Sequence, residues 1–369
     1  MLTAMRLSSL DVFRGLTMAL MILVDMAGAS DHCYYALDHA PWIGWTPTDL
    51  VFPFFLFAVG MAVAVSVRME RPRGELYRKV LKRSAILFTV GCLGNWFVPN
   101  DPGGMRIMGV LQRIALCYLA ASVMALRLSV RAQLAVCAAI LMGYWIALTC
   151  VPVPGFGAGV LTREGSLPSY LDRLAIGRAH LYYGDHWAGW GDPDGLFTTL
   201  PAVVSTMFGY FAGLFVRGRK PESRLSLGLI AAGLLCVTLG KMWGWSFPII
   251  KKLWTSSYTL FMGGMSLVVF GACYEFSEVR GRRPWLSPFE HFGRNSLAAF
   301  VGSLLALRLM LRVTVRAHAR AEPLFQWLLS LFQPWLGADG ASAALALSAV
   351  FAWWLVLRYL DRRGWRLKA

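Results

Sequence analysis

The sequence predicts an all-α integral membrane protein, a polytopic bundle of about ten transmembrane helices, and three observations carry that expectation. Of its 369 residues 57% are hydrophobic and 15% charged, and the mean hydropathy is +0.54, a balance outside the range of soluble globular chains. The apolar residues gather into runs close to the ~20 residues that a helix needs to cross a bilayer core. The formal net charge of +16 falls in short clusters between those runs, such as Arg68, Arg71, Arg73, Arg78, Lys79, Lys82 and Arg83. Clusters of this kind orient a membrane protein, so membrane lipid is an expected partner and nucleic acid is not.

The first run, 10–29, opens on Asp11 and Arg14 and carries Asp25 near its end. Ala27-Gly28-Ala29 after it has the look of a signal-peptidase site, but the charges within the run mark a retained helix. Further spans are expected at 49–67, 84–98, 107–126, 133–150, 197–215, 225–243, 256–274, 293–312 and 340–358. The loops 68–83, 127–132, 216–224 and 275–292 are basic, whereas 30–48 and 151–196 hold more acids and aromatics. That alternation places both termini in the cytoplasm. Leu324 to Leu336 is short for a span and is interrupted by Gln326, Gln333 and Pro334. An eleventh crossing there would carry the basic tail, Arg358, Arg362, Arg363, Arg366 and Lys368, to the outside. The segment is therefore expected to be interfacial or re-entrant, leaving Arg316 and Arg320 in an outer loop. One membrane domain over 1–369 is the economical organisation. Gly209/Gly213 and Gly240/Gly244 have the spacing that lets membrane helices approach closely, and intramolecular packing is the expected use. The cysteines show no zinc spacing and no disulfide framework, so no metal is expected.

Chemistry is expected at a membrane face, because ionisable groups there are costly and mark function. His39 is the prime candidate, since a neutral imidazole can take a proton from an attacking amine or hydroxyl. Asp25 ends the span before it and Asp49 opens the span after it, so either carboxylate could orient the ring. His32 and Asp38 share the loop, and residue type alone does not rank them below His39. Trp42 and Trp45 stand in the same loop. A second polar group lies in 151–196, where His180, Asp185, His186, Asp192 and Asp194 alternate with Tyr182, Tyr183, Trp187 and Trp190. Acids and aromatics together suit a cationic sugar, and equally an interfacial aromatic belt. Inside the apolar runs stand Gln112, Arg113, Lys241, Arg294 and Asn295, which must find either protein partners or a polyanionic ligand. Arg14, three residues beyond Asp11, suits a local ion pair and also a phosphate.

Several stretches, in order, carry a resemblance: Ser9-Leu10-Asp11-Val12-Phe13-Arg14-Gly15, His39-Ala40-Pro41-Trp42, Gly44-Trp45-Thr46-Pro47-Thr48-Asp49-Leu50-Val51-Phe52-Pro53, Gly109-Val110-Leu111-Gln112-Arg113, Asp172-Arg173, His180-Leu181-Tyr182, Asp192-Pro193-Asp194-Gly195, Lys252-Leu253-Trp254-Thr255-Ser256-Ser257-Tyr258 and Gly293-Arg294-Asn295-Ser296. Together they resemble the heparan-α-glucosaminide N-acetyltransferase family of transmembrane acyltransferases, in its compact bacterial form without the large luminal domain of animal members.

The resemblance implies an enzyme that moves an acetyl group from cytoplasmic acetyl-CoA to the amine of a glucosamine-type sugar on the periplasmic side of the bacterial inner membrane, acting as a homodimer. It implies His39 as the active-site histidine. Asp25 stands where the family usually has asparagine, a departure that exchanges an oxyanion donor for a group better suited to orient or act as base. Arg14, Gln112, Arg113, Lys241, Arg294 and Asn295 are the expected coenzyme contacts, and Trp42, Trp45, Asp49, His180 and Asp194 the expected acceptor contacts. Two rivals remain at this point. A transporter of a sugar or acyl carrier would also place cations within the membrane, and an O-acetyltransferase of a cell-envelope glycan would use the same donor on a hydroxyl.

Overall fold

A computed structural model of the chain describes residues 7–66, 72–96, 104–317 and 320–365. Arg68, Arg71, Arg366 and Lys368, and the side chains of Arg73 and Arg320, lie outside that description. Helix α1, Ser8–Ala27, is the axis of the bundle: most of its residues are buried, and it packs against five other helices. Its three charged residues, Asp11, Arg14 and Asp25, keep it from qualifying as a crossing by composition alone. Protein, not lipid, surrounds it.

Around α1 stand α2 (Val51–Ser66), α3 (Arg73–Trp96), α4 (Val110–Arg127), α5 (Val130–Cys150) and the short α6 (Leu167–Ile176). The chain continues through α7 (Thr199–Val216), α8 (Ser223–Trp243), α9 (Ser256–Tyr274), α10 (Arg283–Arg294) and α11 (Ser296–Arg312). A two-stranded antiparallel hairpin, β1 (Thr314–Ala317) and β2 (Arg320–Pro323), leads into α12 (Leu324–Arg362). Among the described residues seven helices are long and apolar enough to cross a membrane, and eight if the bent pair α10 and α11 counts as one. All ten expected spans fall on helices. The crossing stretches of α2, α7 and α9 are 67%, 72% and 61% buried, against 28% for α5 and α8, so the first three form the centre and the latter two face outward.

The central helices meet backbone to backbone. A side chain on Gly60 of α2 would collide with the Thr206 carbonyl of α7, and one on Gly209 of α7 with the Phe57 carbonyl of α2. Gly213 abuts Ala64, and Gly240 abuts Phe261 of α9, so Gly209, Gly213 and Gly240 serve packing within this chain, whereas Gly244 caps the end of α8.

Two poles result. One gathers the start of α1 and the ends of α2, α7, α9 and α12: the Ser9 hydroxyl and amide donate to Glu278 (3.1 and 3.0 Å), Arg217 reaches the Ala64 carbonyl (2.9 Å), and Arg294 pairs with Asp361 (2.9 Å). This is the basic pole. The opposite pole collects the end of α1, the loop 28–50, the starts of α4, α7 and α9, the loop 151–198 and the hairpin.

Two expectations are refined. Helix α3 begins well before residue 84, because Glu75, Arg78, Lys79, Lys82 and Arg83 are good helix formers whose long stems suit a membrane boundary. The segment 324–336 is helical, separated from the remainder of α12 by a break at Gly337 (φ 70°). Thirteen helical residues rise only about 20 Å, less than the ~30 Å hydrocarbon core. Between α10 and α11 the chain bends by 74° at Asn295.

Candidate active site

The loop 28–50 is tied down by one carboxylate. Asp49, with a fully buried side chain, accepts at Oδ2 the backbone N–H groups of Ala40 (3.2 Å) and Thr46 (3.0 Å), while the Thr46 hydroxyl donates to the Asp38 carbonyl (2.6 Å). Thr46 and Asp49 thereby close a capping box on the turn Pro47–Leu50 that leads into α2. The other oxygen, Oδ1, faces His39 Nδ1 at 2.8 Å and accepts from Lys251 Nζ at 3.0 Å. Lys251 Nζ also lies 2.9 Å from His39 Nδ1 and 3.4 Å from Nε2.

Lys251 reaches this place because its segment is pinned to the histidine loop. The Gly44 amide donates to the Ile249 carbonyl (2.8 Å), forming a single bridge between the two segments. At Gly44 the φ of 102° suits a residue without a Cβ. The Thr255 hydroxyl, the Pro248 carbonyl and the Ile250 amide interlock behind it, and Trp254 holds a left-handed conformation (φ 49°) with its indole donating to Ser205 (3.1 Å).

The His39 side chain is 47% exposed and that of Lys251 19%. Desolvation nonetheless dominates the balance at both, holding imidazole and amine below their ordinary pKa values, with Lys251 further opposing a charge on His39 and Asp49 opposing both shifts. Groups that meet water yet are crowded by protein line a recess. Asp25, exposed at the end of α1, lies within electrostatic reach of Lys251 but is not among the hydrogen-bond partners of His39.

Beside the recess is a second polar cluster. Arg106 grips Asp192 with two hydrogen bonds (2.8 and 2.6 Å), reaches Asp194 (3.0 Å) and stacks on Tyr182 (4.4 Å to the ring centre). Arg113, fully buried, donates to the Pro193 carbonyl (2.7 Å) and to the Thr198 hydroxyl, approaches Asp194 (3.6 Å) and lies over Trp254 (4.9 Å). Asp172, buried next to Asp192, accepts from the Leu196 amide (3.0 Å), and burial first and Asp192 second push its carboxyl up to about 7.

Residues 6–166 match the family model described as heparan-alpha-glucosaminide N-acetyltransferase, catalytic. A heparan-alpha-glucosaminide N-acetyltransferase of Homo sapiens is 30% identical over 360 residues, covering 80% of this chain and 52% of that protein. Its Mus musculus counterpart is 29% identical over 359 residues, covering 81% of this chain and 53% of that protein. The chain belongs to this acetyltransferase family. It spans about half the length of these relatives, and the segment matched to the family's catalytic model holds Asp25, His39, Asp49, Arg106 and Arg113.

Set against the family expectation, the structure brings His39 and Asp49 into direct contact, while Asp25 stands near Lys251 without a hydrogen bond to His39. Trp42 donates its indole N–H to the Leu161 carbonyl (2.8 Å) and has Arg163 over its ring (5.0 Å), while Trp45 packs on Phe261. His180 bonds the Met105 carbonyl (2.8 Å), and Asp194 lies between Arg106 and Arg113. The expected coenzyme contacts divide between the poles. Arg14 pairs with Asp11 (2.8 Å) and the Gly293 carbonyl (2.6 Å), and Arg294 pairs with Glu290 and Asp361, both at the basic pole beside Asn295. Gln112 and Arg113 lie at the His39 pole, and Lys241 stands exposed at the end of α8. Lys251 and Arg106 escaped sequence reasoning. Arg106 sits singly in a connection, and only the Lys251-Lys252 pair close to the end of an apolar run could have drawn attention.

Proposed function

We propose that the protein transfers an acetyl group from acetyl-CoA, held at the basic pole on the cytoplasmic side of a bacterial inner membrane, to the amine of a glucosamine-type sugar admitted to the recess on the far side. The observation that carries this reading is the His39–Asp49 pair, with the histidine side chain 47% exposed, within the segment matched to the family's catalytic model and at the pole opposite the basic one. The positive-inside rule supports the orientation. Along α1 the rise from Arg14 to Asp25 is about 16 Å, roughly half the hydrocarbon core, so a thioester arm reaching inward from the basic pole has a short path to the recess.

The basic pole suits the coenzyme phosphates. The side chains of Arg14 and Arg294 are 30% and 28% exposed, and the guanidinium fork suits phosphate oxygens. The amide of Asn295 is buried with neither polar atom partnered among the described residues, a group that a ligand entering the bend could satisfy.

At the recess, His39 Nε2 takes a proton from the sugar amine as its nitrogen attacks the thioester carbonyl. A C–N bond forms, the C–S bond breaks, and the thiol leaves on the basic side. Asp49 holds Nδ1 so that Nε2 is the free base. Direct transfer in one ternary complex is the order proposed. Trp42, Trp45, His180 and Asp194 border the acceptor side. A homodimer and one catalytic domain over 1–369 complete the reading and rest on the resemblance.

The test uses sealed vesicles with the basic pole inward, acetyl-CoA in the lumen only and glucosamine outside. Base-stable N-acetylglucosamine should accumulate outside. Product formed only when donor and acceptor share one compartment would overturn the transmembrane reading.

A further inference from the structure

His39, Asp49 and Lys251 make a triangle whose sides cannot all be hydrogen bonds. Nδ1 stands 2.8 Å from Asp49 Oδ1, a distance at which two lone pairs would confront each other unless a proton lay between them. Nδ1 therefore carries the hydrogen and donates to Asp49. Lys251 Nζ is 2.9 Å from Nδ1 and 3.4 Å from Nε2. The two ring nitrogens are separated by a single ring carbon, and a nitrogen this close to both stands over the face of the imidazole, out of line with either lone pair. Its hydrogen bond goes instead to Asp49 Oδ1 at 3.0 Å, and what it presents to His39 is charge.

We propose that Lys251 is a positioning residue for His39: its ammonium, anchored on Asp49 and placed over the ring face, opposes a second proton on an imidazole whose Nδ1–H is already held by Asp49. The inference rests on the assignment of His39 as the base. Without Lys251, the buried Asp49 carboxylate would draw a proton onto the imidazole and leave it as a spent acid. With it, Nε2 stays available, and the imidazolium formed on attack is a stronger acid that returns its proton readily. The site is built for this, since the Gly44–Ile249 backbone bond fixes the two loops against each other. The other charged groups facing the pair are Asp25 from α1, Asp38, whose Oδ1 accepts the His39 amide (2.7 Å), Lys252, and Asp194 across the recess. None stands as close to the ring as Lys251.

The experiment reads the charge of His39 directly and without acetyl transfer. Carbethoxylation by diethyl pyrocarbonate, which modifies neutral imidazole, is followed at the His39 peptide by mass spectrometry across pH in the purified full chain. In Lys251→Met the midpoint should move to higher pH than in the parent, and in Lys251→Arg, which keeps the charge, it should stay. Lys251→Gln gives the same reading should the Met variant fold poorly. The acid limb of kcat should move with the midpoint. A midpoint unchanged in Met and Gln, or lowered, would overturn the role of Lys251. Failure of the parent to acetylate glucosamine, with the midpoint still moving, would instead sink the proposed acceptor and leave the control of the His39 charge by Lys251 standing.

Discussion

His39 contributes nothing to the fold that a smaller residue would forfeit: its side chain is 47% exposed, and the loop is held by Asp49 and Thr46 through backbone groups. Replacing it with alanine should leave the melting temperature in detergent within a degree or two and lower acetyl transfer about 10²- to 10⁴-fold, the usual loss of a general base. Near-normal turnover would remove His39 from the chemistry and turn attention to His180. Asp25→Asn is its companion. With Asp25 outside the hydrogen-bond shell of His39, that variant should keep most of the activity, and a collapse in rate would show that the charge itself is used. The histidine and Asp49 were legible in the sequence because they share one short loop between two apolar runs. Lys251 was not, because no spacing rule joins residue 39 to a residue 212 positions on; only the fold of the α8–α9 connection does.

At the scale of elements, the connection that carries Asp172, Asp192 and Asp194 is more than a solvated aromatic loop. Asp172 takes up a proton on folding, since its carboxyl rises from 3.8 to about 7, so the native state loses relative stability as pH climbs through that window. Asp172→Asn, which retains an acceptor for Leu196, should therefore gain on the parent between pH 5 and pH 8 in thermal unfolding. A difference that does not change with pH would refute the assignment. The contact of α2 with α7 makes a separate prediction. Leucine at Gly209 has no room against the Phe57 carbonyl, and overpacking of this sort costs about 1–3 kcal/mol or more, so Gly209→Leu should unfold at lower temperature whatever the acceptor. Helix existence was readable from hydropathy at the ten expected spans but not at α6 and α10, which form within the stretches 151–196 and 275–292 expected as loops. Helix ends were not: the basic start of α3 and the helical 324–336 segment are set by helix propensity and by packing on neighbours, which hydropathy does not report.

Taken whole, the molecule has a basic pole and a recess pole, and sidedness is the property that follows. A membrane-impermeant thiol reagent applied from the recess side should label Cys33, which is partly exposed, and a cysteine placed at the exposed Phe156, but not one placed at Gly218 at the foot of α7. Labelling of position 218 from that side would invert the orientation. The ten expected spans all fall on helices, but among the described residues only seven, or eight with the bent pair, are long and apolar enough to cross, and α1 would be a poor crossing by itself, since the charges it carries are tolerated only because other helices enclose them.

The two oxygens of Asp49 divide their work: one face supports the loop, the other addresses His39 and Lys251. No other side chain can do both. Asparagine offers one acceptor and would turn a donor toward either the loop amides or the lysine, and glutamate, which can close a capping box, would carry its carboxylate a methylene away from the present contacts with His39 (2.8 Å) and Lys251 (3.0 Å). Position 49 therefore has no neutral neighbours among the amino acids, and the protein cannot trade activity for stability there. In a saturation library scored once for abundance in the membrane and once for turnover, substitutions at 39 should fail only the second screen. Those at 49 should fail both, a signature that separates the residue performing a reaction from the one that makes the place where it happens.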